Sequence, residues 1–216
     1  MHRSLQIDYI PTTPQLHDSF DALVARPSAL RRSVRAQTAI LNAASALVGE
    51  QGYARTTIEQ IAARAGVGKQ TVYRWWRSKG ALLLDAHLAH SGSPQVACDT
   101  GSTFEDLGRA MKAVVRHWQE KPAADLIAGV VAEAQTNAAL AEAIRREFVM
   151  NHRETVAAIL QRASDRGELR EDVQIALALD ALFGPLWYRL LLGHDMLDGK
   201  IAQEIVHLVW RGIRVG

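Results

Sequence analysis

Thr57-Ile58-Glu59-Gln60-Ile61-Ala62-Ala63-Arg64-Ala65-Gly66-Val67-Gly68-Lys69-Gln70-Thr71-Val72-Tyr73-Arg74-Trp75-Trp76 reads as two short helices hinged at a glycine. Thr57 and Gln60 are a capping-box pair that starts the first helix, and Ile58, Ile61, Ala62 and Ala65 share one face of it. Gly66 ends it, because glycine enters the positive-φ region of a sharp turn without a Cβ clash. The second helix runs from about Lys69 to Trp76, with Val72 and Trp76 four apart and facing inward. Its outer face carries Lys69, Gln70, Thr71, Tyr73 and Arg74. A small residue at Ala62 lets the two helices touch and Val72 plugs one onto the other, which is the spacing of a helix-turn-helix.

Upstream, Val34, Leu41, Ala44 and Val48 mark one face of a helix over Arg31 to Gln51, stopped by Gly52. Before it, Pro11, Pro14 and Pro27 with polar spacers predict a flexible leader over residues 1–30. Downstream, Ser78 caps a helix from Lys79 to about His90, and the polar run from Ser91 to Ser102 reads as a connector. The remainder is helical. Thr103 with Asp106 is expected to open a helix whose face is Phe104, Leu107, Met111, Val114, Val115 and Trp118. Pro122 suits the first turn of the next helix, and one long helix follows over Ala138 to Arg166. Asp172 is placed to cap a helix that reaches Leu192 with a bend at Gly184-Pro185, and the last helix spans about Gly199 to Ile213. The expectation is an all-α chain of about nine helices: a three-helix domain over 31–92 and a larger helical bundle over 102–216.

The chain has 216 residues, 48% hydrophobic and 22% charged, the profile of a globular protein. Cys98, the single cysteine, has no partner for an internal disulfide, and no secretory pattern opens the sequence, so a cytoplasmic setting is expected. The apolar stretch Ile175 to Gly193 contains Asp180, Pro185 and Arg189 and reads as a buried, kinked helix rather than a membrane span. A net charge of +2 hides an uneven distribution. Arg26, Arg31, Arg32, Arg35, Arg55, Arg64, Lys69, Arg74, Arg77 and Lys79 stand against only Glu50 and Glu59, a local balance of +8 that leaves about −6 for the rest. A basic block beside an acidic remainder points to a polyanion as the partner of the first domain. A protein that compacts DNA without sequence preference would be cationic throughout.

Lys69, Gln70 and Thr71 have the size and chemistry to reach base edges in a major groove, while Tyr73, Arg74 and Lys79 suit phosphates. Thr56 and Thr57 are candidates for phosphate contact at the start of their helix, and Arg31, Arg32 and Arg35 for an adjacent groove or backbone. Gly66 to Thr71 resembles a phosphate-binding loop only in part: Ala63 stands where the first glycine belongs, and Gln70 follows the lysine. His87 and His90 with Cys98 beyond would make a metal site conceivable, but surface histidines beside a linker explain them better, and no metal or cofactor is expected. No catalytic motif is present, so an enzyme is not expected. The competing reading is a helical ligand-binding or enzymatic bundle whose first hairpin is only structural. Trp118, Phe148, His152, Trp187 and Tyr188 are candidates to line an apolar small-molecule pocket in the second half, with Met150, Phe183 and Arg189 nearby in the pattern.

Gly52-Tyr53-Ala54-Arg55-Thr56-Thr57-Ile58, Ile61-Ala62, Ala65 through Trp76 and Ser78-Lys79 together resemble the DNA-binding domain of TetR-family transcriptional regulators. The resemblance covers about residues 33–92. It implies a homodimer on double-stranded DNA, most often a repressor, with the third helix as the recognition helix and a helical C-terminal domain that dimerises and binds a small effector. By matching positions it implies DNA contacts at Lys69, Gln70, Thr71, Tyr73, Trp75 and Lys79. Gly68 departs from the serine common there. The run Phe183-Gly184-Pro185-Leu186-Trp187-Tyr188-Arg189-Leu190-Leu191-Leu192-Gly193 resembles a segment of one C-terminal subgroup of the family. That resemblance implies a four-helix dimer interface from the last two helices, through Phe183, Leu186, Leu190, Val206, Val209, Trp210 and Ile213.

Overall fold

The computed structural model describes residues 27–90, 99–120 and 123–216, as two units, one ending at Thr38 and the other Ala39–Gly216. Residues 1–26 of the expected leader, Pro122 and most of the expected connector lie outside the described residues; the leader's last four positions, 27–30, are instead the first turn of a helix. Helix α1 spans Pro27–Arg55, and its regular path breaks at Gly52 (φ 81°, ψ 171°), the glycine expected to end it. In the first unit Thr38 Oγ1 donates to the Val34 carbonyl, and Val34, expected on the core face, is exposed.

Helix α2, Ile58–Arg64, begins with the expected capping box: the Thr57 hydroxyl accepts from the Gln60 N–H, and Gln60 Oε1 accepts from the Thr57 N–H at 3.0 Å. Gly66 makes the turn at φ 66°, and the N–H groups of Gly66 and Val67 donate to the carbonyls of Ala63 and Ala62. Helix α3, Lys69–Trp75, starts at Gly68 without a side-chain cap. Val72 and Trp76 are buried in one core with Ile40, Ala44, Val48, Ile58 and Ile61. Helix α4, Lys79–His90, starts with Ser78 Oγ accepting from the Ala81 N–H, and Asp85 on it accepts from Trp76 Nε1 at 2.6 Å.

The larger body holds α5 (Thr103–Gln119), α6 (Ala123–Ala134), α7 (Ala138–Ala143), a π-helical segment (Ile144–Val149), α8 (Met150–Asp165), α9 (Ile175–Leu192) and α10 (Gly199–Ile213). Helix α5 packs against α8 and α10, while α4 packs against α6. Among the described residues there is no strand; only a single bridge joins Leu169 to Arg214, so the fold is all-α. Among the described residues ten α-helices stand where about nine were expected, because the single helix over Ala138 to Arg166 is interrupted by the π-helical turn. A π turn inserts a residue and rotates the faces on either side of it, which hydrophobic spacing alone does not reveal.

Two capping expectations shift. Ser102, not Thr103, caps α5 by accepting from the Glu105 N–H; Thr103 is buried and donates to Glu168 Oε2 at 2.6 Å. Asp172 pairs with Arg170 at 2.6 Å, and α9 begins at Gln174 without a side-chain cap. Helix α9 is the one described helix long and apolar enough to cross a membrane, but its inner face of Ala178, Leu179, Leu182, Phe183 and Leu186 is packed in the core. The helix expected to be buried is buried on one face only, since Leu177, Ala181, Gly184, Pro185, Tyr188 and Leu191 are exposed.

Gly66 tests the turn cleanly, since a Cβ there would meet nothing within 4 Å. Gly66→Ala is expected to lower stability by about 1 kcal/mol through its positive φ alone, read as a lower urea midpoint. Ala62→Leu, at the helix contact, is expected to cost about 1–3 kcal/mol through overpacking. Unchanged midpoints for both would remove this account of the hairpin.

Candidate nucleic-acid interface and effector cavity

Packing Val72 and Trp76 inward leaves the opposite face of α3 in solvent. Lys69, Gln70, Tyr73 and Arg74 are exposed and Thr71 is half-buried. Lys69 is ion-paired with Glu59 of α2 and lies 5.7 Å from the centre of the Tyr73 ring. The hydrogen bond from Lys69 holds the Glu59 carboxyl below its ordinary range, and Glu59 raises the lysine in return. Arg74 lies over the Trp75 ring at 4.8 Å, and Trp75 meets Trp76 edge to face at 5.7 Å, so Trp75 is half-buried and supports the arginine. Arg64 forks onto Glu50 at 2.7 and 2.8 Å. The side chains of Arg31 and Arg32 lie outside the described residues.

Three of the expected phosphate contacts are engaged elsewhere. Thr57 is exposed, but its hydroxyl caps α2. Thr56 is buried, its hydroxyl donating to the Gly52 carbonyl at 2.8 Å where α1 leaves a carbonyl without a helical donor. Lys79 turns from solvent: Nζ donates to the Tyr53 carbonyl at 3.0 Å and sits 4.0 Å over the Tyr53 ring. Tyr53 is thereby the centre of a bracket that joins the end of α1 to α4 and α6. Its N–H donates to Asp125 Oδ2 at 2.6 Å and its hydroxyl to Glu133 Oε2 at 2.5 Å, while Glu133 Oε1 accepts from the Gly80 N–H at 3.2 Å. Gly129 is required beneath the ring, because a Cβ there would overlap the Tyr53 ring atoms. Burial opposes the Glu133 charge, but hydrogen bonds from Tyr53, Ser78 and Gly80 and the Lys79 charge outweigh it and hold the carboxyl below its usual range. Burial first, then the Glu133 hydrogen bond and charge, push the Tyr53 hydroxyl far above the usual tyrosine range. None of these partners was legible from the sequence, since Tyr53 and Glu133 are 80 residues apart.

Within the body, α5, α8, α9 and the π-helical segment line a cavity of about 290 Å³, open on one side, with walls of Trp118, Phe148, Val149, Arg153, Asp180, Phe183, Gly184 and Trp187. Three of the expected pocket residues, Trp118, Phe148 and Trp187, meet there, with ring centres 4.9 Å (Trp118–Trp187), 5.9 Å (Phe148–Trp187) and 6.4 Å (Trp118–Phe148) apart. Tyr188 points elsewhere: it is exposed and packs on His194 at 4.5 Å. The side chain of His152 lies outside the described residues. The residues that sequence reasoning missed are Arg153 and Asp180, joined at 2.6 Å from α8 to α9. On the other side of the cavity wall, the His87 ring of α4 lies 6.0 Å from Phe148, and its Nε2 is 3.2 Å from Nε2 of His117 on α5. His90's side chain and Cys98 lie outside the described residues, and among the described residues no three potential metal ligands cluster.

The residues expected to pair two subunits divide. Phe183, Leu186 and Val206 are buried inside the subunit, and Phe183 is a cavity wall; an inward helical position carries the same spacing whether it packs on its own core or on a second copy. Leu190, Val209, Trp210 and Ile213 are half-buried at the edge of that core. Exposed apolar positions include a stripe of Leu177, Ala181, Gly184, Tyr188 and Leu191 on α9, and Leu208 on α10.

Residues 40–86 match the pattern of the family described as bacterial regulatory proteins, tetR family, and residues 97–209 that of the tetracyclin repressor-like C-terminal domain. The uncharacterized HTH-type transcriptional regulator YdeS of Bacillus subtilis is 31% identical over 176 residues, 82% of this chain and 88% of that protein. A DNA-binding transcriptional repressor TetR of Mycobacteroides abscessus is 31% identical over 179 residues, 82% of this chain and 94% of that one. Among solved structures, the TetR family transcription regulator SCO0332 superposes with a TM-score of 0.68 at 30% identity, covering 82% of this chain and 97% of its own. A TetR-family regulator from Mesorhizobium loti shares the fold at a TM-score of 0.61 and 22% identity, covering 85% and 99%.

The bracket makes a pH-dependent contribution. Tyr53→Phe is expected to lower stability at neutral pH by about 1.5–3 kcal/mol, the value of a hydrogen bond to a charged acceptor. Because the folded Glu133 carboxyl lies below its unfolded reference of 4.5, this contribution is complete above that pH and disappears as pH falls through the folded value. Thermal unfolding of both proteins across that range should show the gap closing at the acid end; a pH-independent gap would contradict the Glu133 partnership.

Proposed function

The chain belongs to the TetR family of bacterial regulatory proteins, DNA-binding regulators rather than enzymes, and from that premise we propose a homodimeric repressor that a small molecule releases from a palindromic operator. The observation that carries this reading is the outer face of α3, where Lys69, Gln70, Tyr73 and Arg74 stand exposed on a short helix whose other side is locked by Val72 and Trp76. Such a helix fits a major groove, with Gln70 suited to bidentate contact with adenine and Arg74 and Tyr73 to the backbone. DNA as the partner goes with a cytoplasmic setting.

Pairing of two heads is supported by the exposed apolar positions on α9 and α10, Leu177, Ala181, Gly184, Tyr188, Leu191 and Leu208. A two-fold axis through that face would present two copies of α3 to half-sites about one helical turn apart or a multiple of it. Responsiveness to a ligand is supported by the cavity wall: Phe148 packs on His87 of α4, the helix that continues from the reading head, and Trp118 adjoins His117. An effector that moves either ring displaces α4 and changes the separation of the heads, a coupling of about 1–3 kcal/mol in this class of switch.

Selection of bound fragments from a genomic DNA pool, followed by salt-controlled gel shifts, tests the DNA reading. Gln70→Ala is expected to relax preference at one base position by about 1–3 kcal/mol, and Arg74→Ala to weaken all sequences and lower the salt slope by about one. Leu208→Glu is expected to shift the sedimenting species from dimer towards monomer and to weaken operator binding with it. Absence of any sequence-selective shift would leave a ligand-binding bundle with a structural hairpin.

A further inference from the structure

We propose that the ligand taken by the aromatic cavity is a compact planar aromatic carboxylic acid, whose carboxylate replaces Asp180 on Arg153. This rests on the effector-cavity reading and adds the chemical class. Trp118, Phe148, Phe183 and Trp187 supply ring faces and edges on several sides of a space of about 290 Å³, which suits a flat one- or two-ring molecule and is short for a long acyl chain. Among the described residues, Arg153 is the one cation that lines the cavity. Arg153 is the more enclosed partner of its ion pair, with 23% of its side chain exposed against 63% for Asp180, and its second nitrogen donates to the Ala176 carbonyl at 3.3 Å. The backbone bond keeps the guanidinium at the wall whichever carboxylate it holds.

The exchange is favourable on electrostatic grounds. Asp180 stands mostly in water, where an ion pair contributes about 0–1 kcal/mol, so releasing it costs little. A ligand carboxylate arriving from inside the cavity meets the same guanidinium in a drier place and can accept two parallel hydrogen bonds from its fork. A cationic ligand would have to take Asp180 from Arg153, the more enclosed of the two charges, and leave that guanidinium without its carboxylate. A neutral aromatic gains only the stacking.

Calorimetric titration of the full chain with 2-naphthoate, naphthalene and 2-naphthylmethylamine tests this. The acid is expected to bind at least about tenfold tighter than the neutral and cationic probes. Arg153→Gln should abolish that preference while leaving naphthalene affinity within about twofold, which also shows that the variant is folded; Arg153→Lys should restore part of it. Trp187→Ala should weaken all three probes. Equal binding of acid and neutral probe, or an unchanged acid preference in Arg153→Gln, overturns the proposed class while the cavity reading stands. Failure of every probe, or indifference of all binding to Trp187→Ala, overturns both.

Discussion

Tyr53 is held at its N–H by Asp125, at its hydroxyl by Glu133, and at its ring by Gly129 below and Lys79 above. Without that grip the reading head and the body would share little beyond α4. The ring needs a glycine on α6, the hydroxyl needs a carboxylate one turn further along, and the same carboxylate caps the start of α4 through the Gly80 N–H. Three elements are thus fixed by one side chain, so movement of α6 or α4 cannot occur without being passed to the end of α1. For a regulator whose output is the position of a helix, a stiff joint of this kind converts small shifts in the body into displacement of the head.

The cavity sits where such a shift would start. Its walls come from α5, α8, α9 and the π-helical segment, and Phe148 in that segment lies in ring contact with Trp118, Trp187 and His87 of α4. Regular α-helical winding through Ile144–Val149 would give a different rotational setting to Phe148 relative to Arg153. The π turn therefore brings an aromatic wall and a cation from the same stretch of chain onto one space.

Local features were legible in the sequence and remote ones were not. Capping of α2 by Thr57 and Gln60, the Gly66 turn and the inward Val72 and Trp76 follow from spacings of three or four residues, and the structure has each of them. Thr56 and Lys79 were read as phosphate contacts because composition marks polar residues near helix ends without saying what they face; their partners come from the end of α1. Phe183, Leu186 and Val206 show the same limit, since an apolar helical position does not state whether it meets its own core or another copy. Arg153 and Asp180 gave no signal at all, being 27 residues apart on separate helices.

The charge division also changes meaning once partners are known. Within the basic block, Arg64 is bound to Glu50, Lys69 to Glu59, and Lys79 to a backbone carbonyl, so the local excess exceeds what the face of α3 offers to a polyanion. Two of the acidic body's carboxylates, Asp125 and Glu133, are spent on Tyr53 rather than left to repel DNA. Lys69 and Glu59 are both exposed, and such a pair is weak enough to be exchanged for a groove contact at small cost. The pair holds the lysine beside Tyr73, so in the proposed groove contact the amine would start near the place it takes. Pre-positioning of this kind lowers the ordering entropy of binding.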